Sequence, residues 1–420
     1  MIPRHATSPS RRAPRHARRL RSHRALKGVA LVTGGVLLFG ASSVAAYAYR
    51  LDSNMATINT ASLLGKPTVR TSVTATPTAT PTAVDPNAGE AVNILVLGSD
   101  QRTGANAILA GKDPSMASDT TIVVHISADR SRVELVSIPR DSLVPIPSCL
   151  ASNGKTTGAR SSAMFNEAFA IGWQAGGDLA SAAACTGRTV QDNTGLTIDH
   201  FVVVDFIGFR DMVDAIGGVN MCIPRDLHDN YTGLSLTAGQ QVLNGTQAIQ
   251  LARARHGNIG NGGDIDRIGN QQRLISAMVN QVLSTDVLTS VTKLTSFLDA
   301  ATSSLTRDEG LSTLSATGLA YSMRSIRAND ITFMTIPTAA APSNKNRLVW
   351  TSEAATIWAN MLADVPIVAA EQPAVVQTPV PGSTTAPPAT TAPAAPAPVE
   401  TKTAGREAFT SADVTAVCTA

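Results

Sequence analysis

The chain has 420 residues, with 34 Lys and Arg against 31 Asp and Glu and a formal net charge of +3. Nine of the basic residues fall within the first 27 positions, before any acidic one, which leaves 25 basic against 31 acidic residues, or −6, for the remainder. A mildly acidic main body lacks the basic footprint of a nucleic-acid binder, so nucleic acid is not an expected partner. The four cysteines form no CxxC pair and sit at no metal-ligand spacing, which argues against zinc.

Residues 1–27, from Arg4 to Lys27 in their basic positions, read as a cytoplasmic tail whose charge suits anionic lipid headgroups. Residues 28–49 follow without a charge, rich in Val, Leu and Ala. Such a run matches the ~20 residues a helix needs to cross a hydrocarbon core of about 30 Å. The positive flank keeps the N-terminus in the cytoplasm and puts everything after the span outside the plasma membrane. A cleaved signal peptide is the competing reading, with small residues at Ala45, Ala46 and Ala48. The apolar run is longer than the usual ~7–15 residues of a signal peptide, so a single-pass anchor fits better.

Residues 50–89 read as a linker, Pro/Thr/Ala-rich from Lys66 onward and able to reach about 75 Å if extended. Residues 366–420 carry PVPGSTTAPPATTAPAAPAP and read as a disordered tail that cannot bury a core. Residues 90–365 lie between and suit one large domain. Val92 to Leu97, Thr121 to Ile126, Arg132 to Ile138, Phe201 to Val204 and Ile331 to Ile336 read as strands, the last being the final one. Helical spacing runs from Phe206 to Ile216, where Gly217 and Gly218 stop it. Further helices are expected over Gln240 to Leu251, Arg267 to Leu283, Val287 to Ala301 and Gly310 to Ser325. Strands mixed with helices indicate an α/β domain with helices covering a sheet. An even cysteine count in an exported domain permits disulfides. Three pairings are open, with Cys149–Cys185 favoured because both lie in one segment.

Four polar stretches break this pattern. Asp100 and Arg102 lie in GSDQR, directly after the strand ending at Leu97, and strand ends are where α/β folds bind ligands. Asp119 lies in SDT just before the next strand, and two carboxylates so placed can share magnesium. Arg140 follows the strand-closing Pro139 in SIPRDS, with Asp141 as its plain ion-pair partner. The richest stretch runs from Arg253, Arg255 and His256 across a glycine-rich connector to Asp264, Asp266, Arg267, Asn270 and Gln271. The helix is expected to end near Leu251, so that Arg253 and Arg255 leave it on one side. Ordinary turns, caps and a solvated charged helix are the bland alternatives. Arginines 140, 253, 255 and 267 are too many for one carboxylate and suit a pyrophosphate, as bidentate phosphate ligands.

At these residues the chain resembles the LytR-CpsA-Psr (LCP) family of bacterial cell-wall enzymes, in its actinobacterial type. The resemblance rests on GSDQR, SDT, SIPRDS, IDHFVVVDFIGFRDMVDAIGGV, LNGTQAIQLARAR and DIDRIGNQQ, in that order between Val92 and Leu283. It implies a three-layer α/β/α domain with a central mixed sheet and a hydrophobic tunnel for lipid. It also implies a phosphotransferase that moves a glycopolymer from a polyprenyl-pyrophosphate carrier to peptidoglycan through a phosphodiester. Asp100 and Asp119 would bind Mg2+; Arg140, Arg253, Arg255, Asp264 and Arg267 would be catalytic; Arg102, Asn270 and Gln271 would contact substrate. The chain departs from the family at Asn270, where arginine is common, and at Leu251, where tyrosine is. A polyprenyl-pyrophosphate hydrolase and a membrane-bound regulator are the rival readings.

Overall fold

A central mixed sheet is built from β1 (Ala56–Ile58), β2 (Val92–Ser99), β3 (Ser118–Ile126), β4 (Val133–Ser137) and, later, four more strands. The computed structural model describes residues 46–64, 85–99, 116–259, 263–284, 287, 290–368, 401–413, 415 and 418. The chain divides into two units between Tyr49 and Arg50, and the sheet with its covering helices belongs to the second. The expected tail over 1–27 and most of the expected membrane helix over 28–49 lie outside the described residues. Among those described, no helix is long and apolar enough to cross a membrane.

Beyond β4 come β5 (Leu143–Ile146), β6 (Arg160–Met164), α1 (Glu167–Gly176), α2 (Leu179–Thr194), β7 (His200–Val204) and α3 (Phe206–Ala215). Then follow β8 (Val219–Ile223), β9 (Leu227–Asp229), β10 (Leu234–Leu236), β11 (Gly239–Leu243), α4 (Gly245–Arg253), α5 (Asp264–Val282) and α6 (Val291–Ser304). The last group is β12 (Leu305–Asp308), α7 (Thr313–Ser322), β13 (Ile331–Thr335), β14 (Thr338–Ala341), β15 (Asn344–Trp350), α8 (Ser352–Leu362) and β16 (Phe409–Thr410). The sheet order is β1-β12-β7-β2-β3-β4-β13-β16. Parallel pairs (β2 with β7, β4 with β13) flank two consecutive antiparallel ones (β2 with β3, β3 with β4).

Both faces of the sheet are covered, as the period-two alternation of its strands requires. Leu95, Leu97, Val123 and Val136 point to one face, where Phe169, Val190, Trp358 and Met361 of α1, α2 and α8 pack on them. Val92 and Ile126 point to the other, against Leu319 of α7. Val133, Leu135 and Phe333 share that side with Ile275 and Val279 of α5. Helix α5 also faces a second core, in which Leu274 meets Val213, Val219, Leu243 and Leu251. Burying a side chain of this size contributes ~1.5–3 kcal/mol, so α5 is gripped from two sides along its length.

Several expectations are corrected. Residues 240–243 are strand, not helix: Asn244 starts α4 by accepting from the Gln247 N–H at 2.9 Å while Gln247 accepts from Asn244 N–H at 3.1 Å. That reciprocal cap forces the preceding residues out of the helix. The linker begins later than Arg50, because Arg50 and Asn54 both donate to Asp299 and β1 pairs with β12. The sheet does not end at Ile336. Residues 401–413, expected within the disordered tail, supply β16, which pairs with β13 and stacks Phe409 on Phe333 at 5.1 Å. The favoured Cys149–Cys185 bond is present, and Cys222 pairs with Cys418.

Candidate phosphate-binding site

The site forms where β2 and β4 end and β3 begins, beside the N-terminus of α5. Strand β2 ends in a bulge between Gly98 and Ser99. A Cβ at Gly98 would come within 2.9 Å of the Thr120 side chain, so glycine permits the approach of β3. Asp100 and Arg102 come next and lie outside the described residues. Asp119 is the second residue of β3, and Arg140 follows β4 by three residues.

Asp264 opens α5, where a carboxylate meets the positive end of the helix dipole. Its Oδ2 accepts the backbone N–H of Arg140 at 2.8 Å, and its Oδ1 accepts from the Arg267 guanidinium one turn on. Arg140 donates from Nη1 to Asp119 Oδ1 at 2.8 Å. Arg267 sits 3.4 Å from Asp119 Oδ2 and donates to the Asp119 carbonyl at 3.0 Å. Two arginines and two aspartates from three elements therefore form one interlocked network. The Arg140 Nε is buried without a hydrogen-bond acceptor, its nearest carboxylate oxygens, on Asp141 and Asp264, lying at 3.7 Å.

The two carboxylates differ. Burial raises the Asp119 pKa, but the charges of Arg267 and Arg140 outweigh it and hold the group below the ordinary carboxylate range. Asp264 is more deeply buried, and burial pushes its pKa up despite the same two arginines. Arg255 faces the cluster without joining it. Its guanidinium makes no hydrogen bond among the described residues, and burial followed by repulsion from Arg140 and Arg267 lowers its pKa. Repulsion from the two arginines is only partly offset there by Asp119 and Asp264, so the position suits an added anion.

Not every expected site residue gathers here. Helix α4 extends to Arg253, two residues past the expected end, and Ala254 caps it while fully buried. The two arginines therefore diverge, and the Arg253 guanidinium lies 4.8 Å above the Phe206 ring. Gln271 donates to the Ala252 carbonyl at 3.1 Å, tying α5 to the end of α4. Asn270 lies on another face of α5, lining a polar cleft of ≈380 Å³ with Arg273, Ala404 and Arg406.

Three supporting sets of contacts could not be read from the sequence. Asp141 bridges to Arg347 on β15, Oδ1 to Nη1 at 3.5 Å. Gln272 donates to Ser137 and Thr335 and accepts from Gly405 N–H, fixing α5 to the sheet. Asp229, fully buried, accepts the backbone N–H groups of Arg255 and His256 at 2.9 and 3.0 Å. Of the three residues, Asp141 was legible only as an ion-pair partner of Arg140 and Gln272 only as one of the paired glutamines; Asp229 carried no signal.

Comparison with known proteins agrees with this architecture. The family model described as LytR_cpsA_psr matches residues 55–362. The cell wall biosynthesis protein LcpA of Corynebacterium glutamicum is 34% identical over 271 residues, covering 60% of this chain and 51% of that protein. The polyisoprenyl-teichoic acid–peptidoglycan teichoic acid transferase TagU of Enterococcus faecalis is 29% identical over 238 residues, covering 57% of this chain and 68% of that one. The chain thus spans about half the length of the corynebacterial relative. Among solved structures, protein gbs0355 of Streptococcus agalactiae shares the fold with a TM-score of 0.52 and 21% identity, over 65% of this chain and 87% of that one. The matched residues run from β1 to the end of α8 and hold every described member of the arginine–aspartate network: the chain belongs to the LytR-CpsA-Psr family.

Proposed function

We propose that this chain transfers a glycopolymer from a polyprenyl-pyrophosphate carrier to peptidoglycan, leaving a phosphodiester link. The observation that carries the proposal is Arg255, whose guanidinium makes no hydrogen bond among the described residues and lies within the electrostatic reach of Arg140 and Arg267. Three guanidinium groups converging on one strand end suit a diphosphate, whose two phosphates can each take a bidentate partner. We further propose that residues 28–49 anchor the chain in the plasma membrane with the domain outside, since a donor with a polyprenyl tail stays at the bilayer.

In the proposed reaction an acceptor sugar hydroxyl on peptidoglycan attacks the phosphorus next to the glycan. One P–O bond forms to the acceptor, and the bond to the polyprenyl phosphate breaks. Arg140, Arg255 and Arg267 neutralise the charge that moves onto the leaving phosphate. We assign the hydroxyl proton to Asp119 rather than Asp264, because 28% of its side chain is exposed against 2%. Asp264 has both oxygens occupied and positions Arg140 and Arg267. Asp119 is a hard oxygen donor beside the phosphate subsite and fits magnesium, which takes one or two carboxylates plus water and phosphate oxygens. Asp119 with Asp100 would hold that ion, which supplies further charge neutralisation when bound.

The test uses the purified full chain in detergent with a lipid-linked glycan donor, with and without peptidoglycan. Wall-bound polymer that needs both substrates supports transfer; release of glycan to water alone would identify a hydrolase instead. Arg255→Ala should lower transfer at least ~100-fold, the loss of one oriented charge at the reacting group, while melting at the wild-type temperature or slightly above. Full transfer by this variant would remove the proposal's footing.

A further inference from the structure

The sequence has few aromatic residues, yet one of its four tyrosines is displayed against the segment that carries Arg255. Tyr231 is 82% exposed and pairs with the His256 ring at 4.2 Å between centroids, the planes tilted by 33°. His256 directly follows Arg255. The two rings are held by a common support, the buried Asp229. Its Oδ1 accepts the N–H groups of Tyr231 and Thr232 at 2.8 and 3.3 Å, and its Oδ2 those of Arg255 and His256. One carboxylate thus fixes both the turn carrying the tyrosine and the segment carrying the phosphate-facing arginine.

An exposed ring on a mobile loop is unremarkable on a protein surface. A ring fixed by a buried carboxylate, partnered by a second ring and built onto the segment of an anion-binding arginine is different. Tyrosine gives a large, rigid, amphipathic face at low entropic cost, with its hydroxyl available at the rim. Pyranose rings present C–H faces of matching size ringed by hydroxyls. Resting on the transferase reading above, we infer that the Tyr231–His256 pair is a sugar-binding platform. It takes the hexose or hexosamine ring attached to the donor diphosphate while Arg255 takes the phosphate. Asn230, which precedes the tyrosine, is exposed as well.

The experiment measures affinity of the full chain for two probes: a polyprenyl pyrophosphate, and the same lipid with one N-acetylhexosamine on its terminal phosphate. The wild type should bind the sugar-bearing lipid about three- to tenfold more tightly, the scale of an aromatic stacking contact. Tyr231→Ala should reduce that ratio to near one, and Tyr231→Phe should retain most of it. A wild-type ratio of one, or an unaltered ratio in Tyr231→Ala, overturns the platform. Failure of the wild type to bind either probe overturns the diphosphate site beneath it, and the platform with it.

Discussion

Asp264→Ala is the most direct probe of how the site is held. The carboxylate is 2% exposed and carries two obligations, the Arg140 N–H and the Arg267 guanidinium. Breaking a buried ion pair from one side costs ~3–5 kcal/mol because the remaining charge is stranded. Arg267 keeps two weaker contacts on Asp119, so the lower end, about 3 kcal/mol, is expected. For a domain of this size that lowers the melting temperature by roughly 6–12 °C. Thermal unfolding followed by circular dichroism would measure it. Arg267→Met strands the opposite charge and should cost a similar amount. The double variant strands neither, so it should lose less than the sum of the singles by at least ~1.5 kcal/mol. Simple additivity, or a loss under ~1 kcal/mol for Asp264→Ala, would refute the idea that this pair forms the keystone of the network.

Two further expectations concern proton transfer and the brace behind the site. The acid limb of kcat/KM separates the two carboxylates: with Asp119 as base, activity persists as pH falls and drops only below the ordinary carboxylate range, since Arg267 and Arg140 outweigh burial there. A limb above that range would instead point to Asp264, whose pKa burial raises. Gly269→Ala should destabilise by about 1–3 kcal/mol, because a Cβ there collides with the Ala404 carbonyl. Trypsin should then cut faster at Lys402 and Arg406; wild-type melting and cleavage rates would refute the brace.

Sequence pattern reached the central strands because β2, β3 and β4 expose neither face fully and are rich in Val, Ile and Leu. It also gathered Asp119, Arg140, Asp264 and Arg267, which sit next to element ends where local pattern is informative. It missed what depends on distant partners. Strand β16 has two residues and no periodicity of its own, and Phe409 takes its place from Phe333 and the cluster around it. The turn from Asp229 to Thr232 looks like any polar loop until Arg255 and His256 close on the same carboxylate. The divergence of Arg253 from Arg255 was equally hidden, since two extra residues of α4 direct the first toward Phe206. Low aromatic content concealed the platform because one well-placed ring carries no compositional signal.

The contacts between α5 and residues 401–411 also bear on when the site comes into being. Gln272 meets Gly405 across 133 positions, and Asn280 meets Ser411 across 131. A growing chain can make the aspartates and arginines of the network long before those contacts are possible. Until residue 405 arrives, the Gln272 carbonyl lacks its bonded N–H and one flank of α5 stays open. A polypeptide stopped short of β16 would therefore carry the site's residues without these two bonds to α5.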